Sequence, residues 1–240
     1  MKYSPINRFW MLCFLVLSAS VQAIEISTMF TQFEDDKASI IIKNTAQQRI
    51  FLFVGMSKLQ VVEGEIQKTE YSKHNLADWE ISVSPAKTII EPGFEKQLTI
   101  DYQCKKQCDT FVDKLYQLSI VPAPYVPESE QNQNAVQIAV GFAPILVKVN
   151  KEHSPDYVVH HQGEQVTFTN RGDSYFQAVL RSCLDRQECE RQFKILAGRT
   201  LTIQLPEKMV NQNLNLELHS AHGEYKQERL LLVDEVVETL

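Results

Sequence analysis

Glycine is scarce in this sequence, with 8 among 240 residues, and none falls into a phosphate-cradling or dinucleotide-binding spacing. There is no G-x-S-x-G elbow and no H-E-x-x-H pair. The 6 histidines lack metal-ligand spacing: His160 and His161 are adjacent, while His219 and His222 stand near the C-terminus. Carboxylates are plentiful, but the sequence singles out no pair for acid–base work. These absences argue against an enzyme, a bound cofactor or a metal centre. Positive charge is also short: 24 Lys and Arg against 30 Asp and Glu give a net charge of −6, which speaks against nucleic acid as a partner. After residue 23 no apolar run is long enough to cross a bilayer, so stable membrane insertion is not expected.

The first 23 residues are of a different kind. Lys2 and Arg8 give a positive head, Phe9–Leu17 an apolar middle, and Ser18-Ala19-Ser20 then Val21-Gln22-Ala23 a small-residue end. This is the pattern of a secretory signal peptide cut after Ala23. About nine apolar residues are too few to span the ~30 Å hydrocarbon core as an anchor. The mature chain is expected to begin at residue 24 and to be exported. Cys13 leaves with the signal peptide, and the cysteines that stay form two close pairs, Cys104 with Cys108 and Cys183 with Cys189. In an exported chain an even number at local spacing reads as disulfides that staple loop tips, with connectivity left open. A C-x3-C spacing could also be half of a zinc site, but no matching second pair or histidine lies nearby.

What remains is rich in strands. Apolar stretches of five to eight residues recur, broken by polar or Pro/Gly turns: Ser39–Ile42, Ile50–Val54, Leu59–Val62, Trp79–Val83, Lys96–Tyr102, Leu115–Val121 and Val136–Val149. Leu98, Ile100 and Tyr102 alternate with Gln97, Thr99 and Asp101, the period of a half-buried strand. The polar run 150–155 interrupts the rhythm, which restarts with Glu164–Thr169, Tyr175–Ser182, Thr200–Leu205, Leu214–Ser220 and Tyr225–Val233. Asp185–Lys194 is charged and reads as a short helix or loop. The expectation is an all-β chain of two immunoglobulin-like β-sandwich domains in tandem, 24–149 and 156–240, joined by a linker at 150–155.

The order of three segments is more specific. Ile81–Gly93 is a strand, a Pro85-led stretch and a Pro92-Gly93 turn that feeds an alternating strand, Phe94–Tyr102. Then come Leu115-Tyr116-Gln117-Leu118-Ser119-Ile120-Val121-Pro122-Ala123-Pro124 and, after a polar loop, Val136-Gln137-Ile138-Ala139-Val140-Gly141-Phe142. This order resembles the first domain of PapD-like periplasmic pilus assembly chaperones. The Trp79–Gly93 stretch and the second cysteine pair resemble their alternate, alpha-type branch. The resemblance covers 81–149 well, 24–80 loosely, and the second half weakly.

The resemblance implies a chaperone that lends an edge strand to an incomplete fimbrial subunit and delivers it to an outer-membrane usher, without a cofactor. An open sheet edge with unpaired backbone groups aggregates, and an added strand satisfies it. The matching donor positions are Val136, Ile138 and Val140, with Phe142 a candidate fourth. The family also holds the subunit's terminal carboxylate with a basic pair. This sequence departs from that: Ile24–Phe33, its expected first strand, has no Arg or Lys, and Ile145 stands where the family has Lys. Lys148 and Lys43 are the candidate replacements. The alternative is a structural or adhesive pilus component built from the same sandwiches, but Ile24–Phe33 reads as a first strand rather than a free extension, and Tyr225–Val233 reads as a closing one. Arg171-Gly172-Asp173 is read as a turn rather than an integrin motif. Trp79 and Tyr116 are read as packed residues.

Overall fold

The structure is a computed structural model in which residues 24–105, 108, 111–125, 140–149, 155–183 and 189–239 are described. The expected signal peptide, Val136, Ile138 and all of the expected linker but Pro155 lie outside them. In chain order the strands of the first half are β1 (Ile24–Ile26), β2 (Phe30–Gln32), β3 (Lys37–Asn44), β4 (Ile50–Val62), β5 (Glu65–Glu70), β6 (Ile81–Ser84), β7 (Lys87–Ile90), β8 (Glu95–Tyr102), β9 (Lys114–Pro124) and β10 (Ile145–Lys148). Those of the second half are β11 (Tyr157–Gln162), β12 (Gln165–Asn170), β13 (Phe176–Arg181), β14 (Glu190–Ile195), β15 (Thr200–Gln204), β16 (Leu214–Ser220), β17 (Lys226–Leu231) and β18 (Val236–Glu238).

Alternation dictates which side of each strand is buried. In β3, Ala38, Ile40, Ile42 and Asn44 face inward while the residues between them face water. β3 pairs with β8 so that Ile40 lies opposite Leu98 and Ala38 opposite Ile100. Together with β1 and β6 they form one sheet, ordered β1-β3-β8-β6. The facing sheet is ordered β2-β10-β9-β4-β5, with β7 also on β4. Its inward row includes Leu52, Tyr116, Leu118, Ile120 and Leu146, all fully buried. Each such side chain contributes about 1.5–3 kcal/mol of transfer free energy. The second half repeats the plan with sheets β15-β12-β11-β18 and β14-β13-β16-β17 around Tyr157, Phe168, Phe176, Leu216 and Leu218. The chain is therefore all-β, with two sandwiches in tandem.

Several sequence expectations change in detail. The expected first strand Ile24–Phe33 is two strands: β1 pairs antiparallel with β3, and β2 pairs parallel with β10 in the opposite sheet. Between them the Thr28 hydroxyl bonds the backbone of Phe30, turning the chain from one sheet to the other. The expected break between Ile50–Val54 and Leu59–Val62 is absent: β4 runs unbroken, paired with β9 from Ile50 opposite Pro124 to Leu59 opposite Leu115. Within Asp185–Lys194, residues 190–194 belong to edge strand β14, not to a helix or loop. The C-terminal strand is β18, beyond the expected Tyr225–Val233.

One corner recurs in both sandwiches. Asn44 ends β3 and is fully buried. Its Nδ2 donates to the carbonyls of Gln48 and Ile90, both at 2.9 Å, and its Oδ1 accepts from Ala46 N–H at 3.0 Å. Asn170 ends β12 and does the same: Nδ2 donates to Ser174 and Ile195 carbonyls, and Oδ1 accepts from Gly172 N–H. Arg171-Gly172-Asp173 is thus a turn capped from within, and Arg171 is tied to Asp156 and Glu238.

The sandwiches meet through a small third core of Leu59, Leu115, Val147, Tyr175 and Leu196. Beside it the buried Asp113 carboxylate accepts from the Ser174 hydroxyl at 3.0 Å and from Tyr175 N–H at 2.8 Å. The ring of Phe30 packs edge-on against Tyr175, 5.0 Å between centroids. Replacing Asn44 or Asn170 with Ala leaves buried backbone groups without partners, so each variant is expected to lose about 1–3 kcal/mol. Urea unfolding of N44A and N170A checks this; the loss should appear in the sandwich that carries the substitution.

Candidate functional site

The end of the first sandwich beside the junction carries charge where the strand pattern calls for apolar side chains. Lys114 shares a face of β9 with Tyr116, Leu118 and Ile120, the inward one. Lys58 continues the inward row of Leu52, Val54 and Met56 on β4. β10 brings Lys148 directly opposite Lys114 in the ladder. Both ammonium groups stand over the Tyr102 ring, Lys114 at 5.6 Å and Lys148 at 5.5 Å from its centroid.

Glu80 balances two of these charges. Its side chain is 4% exposed. Oε1 accepts from Lys114 Nζ at 2.9 Å, and Oε2 accepts from Lys58 Nζ at 2.8 Å and from Tyr116 Oη at 2.9 Å. Its N–H donates to Tyr71 Oη at 3.0 Å, and its carbonyl accepts from Gln103 N–H at 2.7 Å. Burial alone would raise the Glu80 pKa; hydrogen bonds from Lys58, Lys114 and Tyr116 outweigh it and hold the carboxyl below its ordinary value. Tyr116 is driven far above the ordinary phenol range by burial and then by the Glu80 charge. Lys148 has a separate partner, Asp36, at 2.5 Å. Asp36 sits at a left-handed φ of 63° in the turn before β3, which aims its carboxylate at β10. The ammonium groups of Lys58, Lys114 and Lys148 therefore face the carboxylates of Glu80 and Asp36 at this end of the sandwich.

A cleft opens beside the cluster, lined by Lys58, Tyr71, Asn75, Asp78, Glu80 and Lys105. Trp79 forms its rear support: the indole stacks on Tyr71 at 5.3 Å and donates to Asn75 Oδ1 at 3.0 Å. Trp79 thus packs as expected, just before β6 and against Tyr71, eight residues earlier.

The expected donor positions divide. Val136 and Ile138 fall outside the described residues, and Val140 is 69% exposed. Phe142, the candidate fourth, is half-buried. Its backbone exchanges two hydrogen bonds of 2.9 Å with Ile120, and its ring packs on the protein's own first core. Gly141 permits that approach, because a Cβ there would lie 2.7 Å from the Ile120 carbonyl oxygen.

The two candidate anchors do not stand together. Lys148 is in the lysine cluster, whereas Lys43 is exposed at the far end of β3, opposite Glu25 and Glu95 in the ladder. From Lys37, beside Asp36, to Lys43 is roughly 20 Å of extended strand. The structure adds Lys114, Lys58 and Glu80, which the sequence reading missed. Their signal was a charged residue at an inward position of an otherwise apolar row. Cys104 is bonded to Cys108 and Cys183 to Cys189, with Cα separations of 5.6 Å and 5.9 Å.

Removing the Glu80 charge leaves two cations crowded together, and a half-broken buried pair costs about 3–5 kcal/mol. E80Q is expected to unfold at distinctly lower urea concentration than wild type. Because the folded Glu80 pKa is lowered, its stabilisation is full above the ordinary carboxyl pKa and fades as pH falls through the folded value. The gap between wild type and E80Q should therefore shrink on acidification, a trend that urea titrations at stepwise lower pH would read.

Comparison with solved structures finds the same fold in fimbrial chaperones. The SafB chaperone with the SafA pilin of Salmonella enterica matches at 10% identity and a TM-score of 0.56, over 89% of this chain and 99% of that one. The CsuC–CsuE chaperone–tip subunit complex of Acinetobacter baumannii matches at 13% identity and 0.54, over 89% of this chain and 100% of that one. The class 5 fimbriae chaperone CfaA matches at 11% and 0.51, over 88% and 99%. At these identities the likeness is one of fold. No curated protein sequence matches. The description "CS5 fimbrial protein N-terminal domain" matches residues 26–149, more than half of the sequence. The chain belongs to the CS5 fimbrial protein N-terminal domain family.

Proposed function

We propose that this protein is a periplasmic chaperone that binds fimbrial subunits, completes their open sandwich with one of its own strands and hands them to an outer-membrane usher. What carries this reading is the two-sandwich fold it has in common with chaperones solved in complex with a pilin or a tip subunit. Val136, Ile138 and Val140 enter the subunit's groove, each contributing about 1.5–3 kcal/mol before ordering and association costs. Phe142, fastened to Ile120, anchors the strand where it rejoins the protein's own sheet. The lysine cluster takes the subunit's terminal carboxylate. Lys148 is the first candidate because its side chain is 26% exposed and its partner Asp36 is the more exposed, at 59%. Lys114, opposite it in the ladder, is the second. Lys43 is too remote to join them. The signal peptide, residues 1–23, routes the chain out of the cytoplasm.

A structural fimbrial role is the second reading, and the family description, which speaks of a fimbrial protein, favours it. Purification of a C-terminally tagged protein from the periplasm of its native host, followed by mass spectrometry, separates the two. A stoichiometric partner of about one domain supports the chaperone; recovery in surface fibres supports the other. I138D puts a charge into an apolar groove and should lower subunit capture by more than about a hundredfold while the protein stays folded. Full capture by a folded I138D protein refutes the donor strand. K148E should weaken capture by roughly tenfold or more, through loss of a charge-assisted bond.

A further inference from the structure

The two disulfides sit in different chemical surroundings. Cys189 is buried in the second core, 3% exposed, while its partner Cys183 is exposed. The other pair closes the end of β8, at the mouth of the lysine cluster. Cys108 is exposed and Cys104 half-buried. The Lys114 ammonium donates to Cys104 Sγ at 3.6 Å. Lys114 is itself held in place by Glu80 at 2.9 Å and lies over the Tyr102 ring. With its side chain only 12% exposed, its charge acts on the sulfur with little screening by water.

A cation fixed beside one sulfur makes that sulfur the better leaving group, because exchange proceeds through a thiolate. From this geometry we infer that Cys104–Cys108 is a thiol–disulfide exchange site, opened by a dithiol, with Cys104 as the leaving sulfur held by Lys114. The thiolate of the dithiol attacks the exposed Cys108 Sγ, the Cys104–Cys108 bond breaks, and its electron pair leaves on Cys104. The second thiol of the dithiol then attacks the mixed disulfide and releases Cys108. The dithiol is oxidised by two electrons to a disulfide, and Cys104 and Cys108 are reduced; its two protons pass to solvent or to the released sulfurs. Opening puts a negative charge beside Lys114, which Glu80 must then share. The state of this pair thereby sets the charge at the mouth of the cluster.

The test uses the oxidised full chain and dithiothreitol. Samples quenched with iodoacetamide at intervals are mapped by mass spectrometry. Cys104 and Cys108 should be labelled before Cys183 and Cys189. In the reduced wild-type protein, Cys104 alkylation should have its midpoint below the ~8.5 of an ordinary thiol. K114M should move that midpoint up to about 8.5 and slow opening by roughly threefold to tenfold, while K114R keeps the wild-type behaviour. The wild-type midpoint needs no variant. A midpoint at or above about 8.5 overturns the assignment, as does opening of Cys183–Cys189 first.

Discussion

A carboxylate taken out of water organises one end of the first sandwich. Glu80 has lost nearly all its hydration, and an uncompensated buried charge costs several kcal/mol. It is tolerable only because Lys58, Lys114 and Tyr116 bring donors to both oxygens. Those three side chains come from β4 and β9, which pair along ten residues of each. The inward tilt of Lys58 and Lys114 and the buried hydroxyl of Tyr116 all serve that one anion, while Lys148 is balanced separately by Asp36. An apolar residue at position 80 would remove the need for inward lysines, and with it the concentration of positive charge where the two sandwiches meet.

Much of the fold was legible because alternation is a direct imprint of burial on one face. β3, β8 and β9 carry that imprint cleanly, and Leu98, Ile100 and Tyr102 face inward as the period requires. The strands that escaped notice are those whose imprint is weak. β14 lies at a sheet edge and buries only Ile195 fully. β11 places His161 at a fully buried inward position, which hides the run behind an apparently polar residue. β5 is mostly exposed on both faces. The corner built on Asn44 and Asn170 was present in the letters as an asparagine that ends a strand in each half. Its meaning rests on contacts with Ile90 and Ile195, which only the fold brings near.

The site was less legible than the fold. The apolar alternation around residue 138 pointed to a strand, and Lys148 was picked out as a basic residue near it. The partners of Lys148 come from elsewhere in the chain: Asp36 precedes β3 and Tyr102 ends β8. Electrostatic sites assembled from several strands leave no periodic trace, so Glu80 read as one acidic residue among 30. Phe142 has the opposite difficulty. Its spacing from Val140 fits a free donor face, but spacing carries no information on the strand's twist, and Ile120 claims that end.

Strand β4 has 13 residues, about 43 Å of extended chain. Its first part lies in the body of the first sandwich, where Leu52 is fully buried, while its last part carries Leu59 into the junction with Tyr175 and Leu196. The β4–β5 turn then touches the second sandwich, where Thr200 N–H donates to the Gly64 carbonyl at 3.1 Å. One stiff element is thus clamped at both ends. A push on the far face of the first sandwich is carried as leverage into the junction instead of being absorbed by a swivel. The molecule has the mechanics of a bracket, in which β4 is the long beam and Asp113, Val147 and Phe30 are the fasteners beside it.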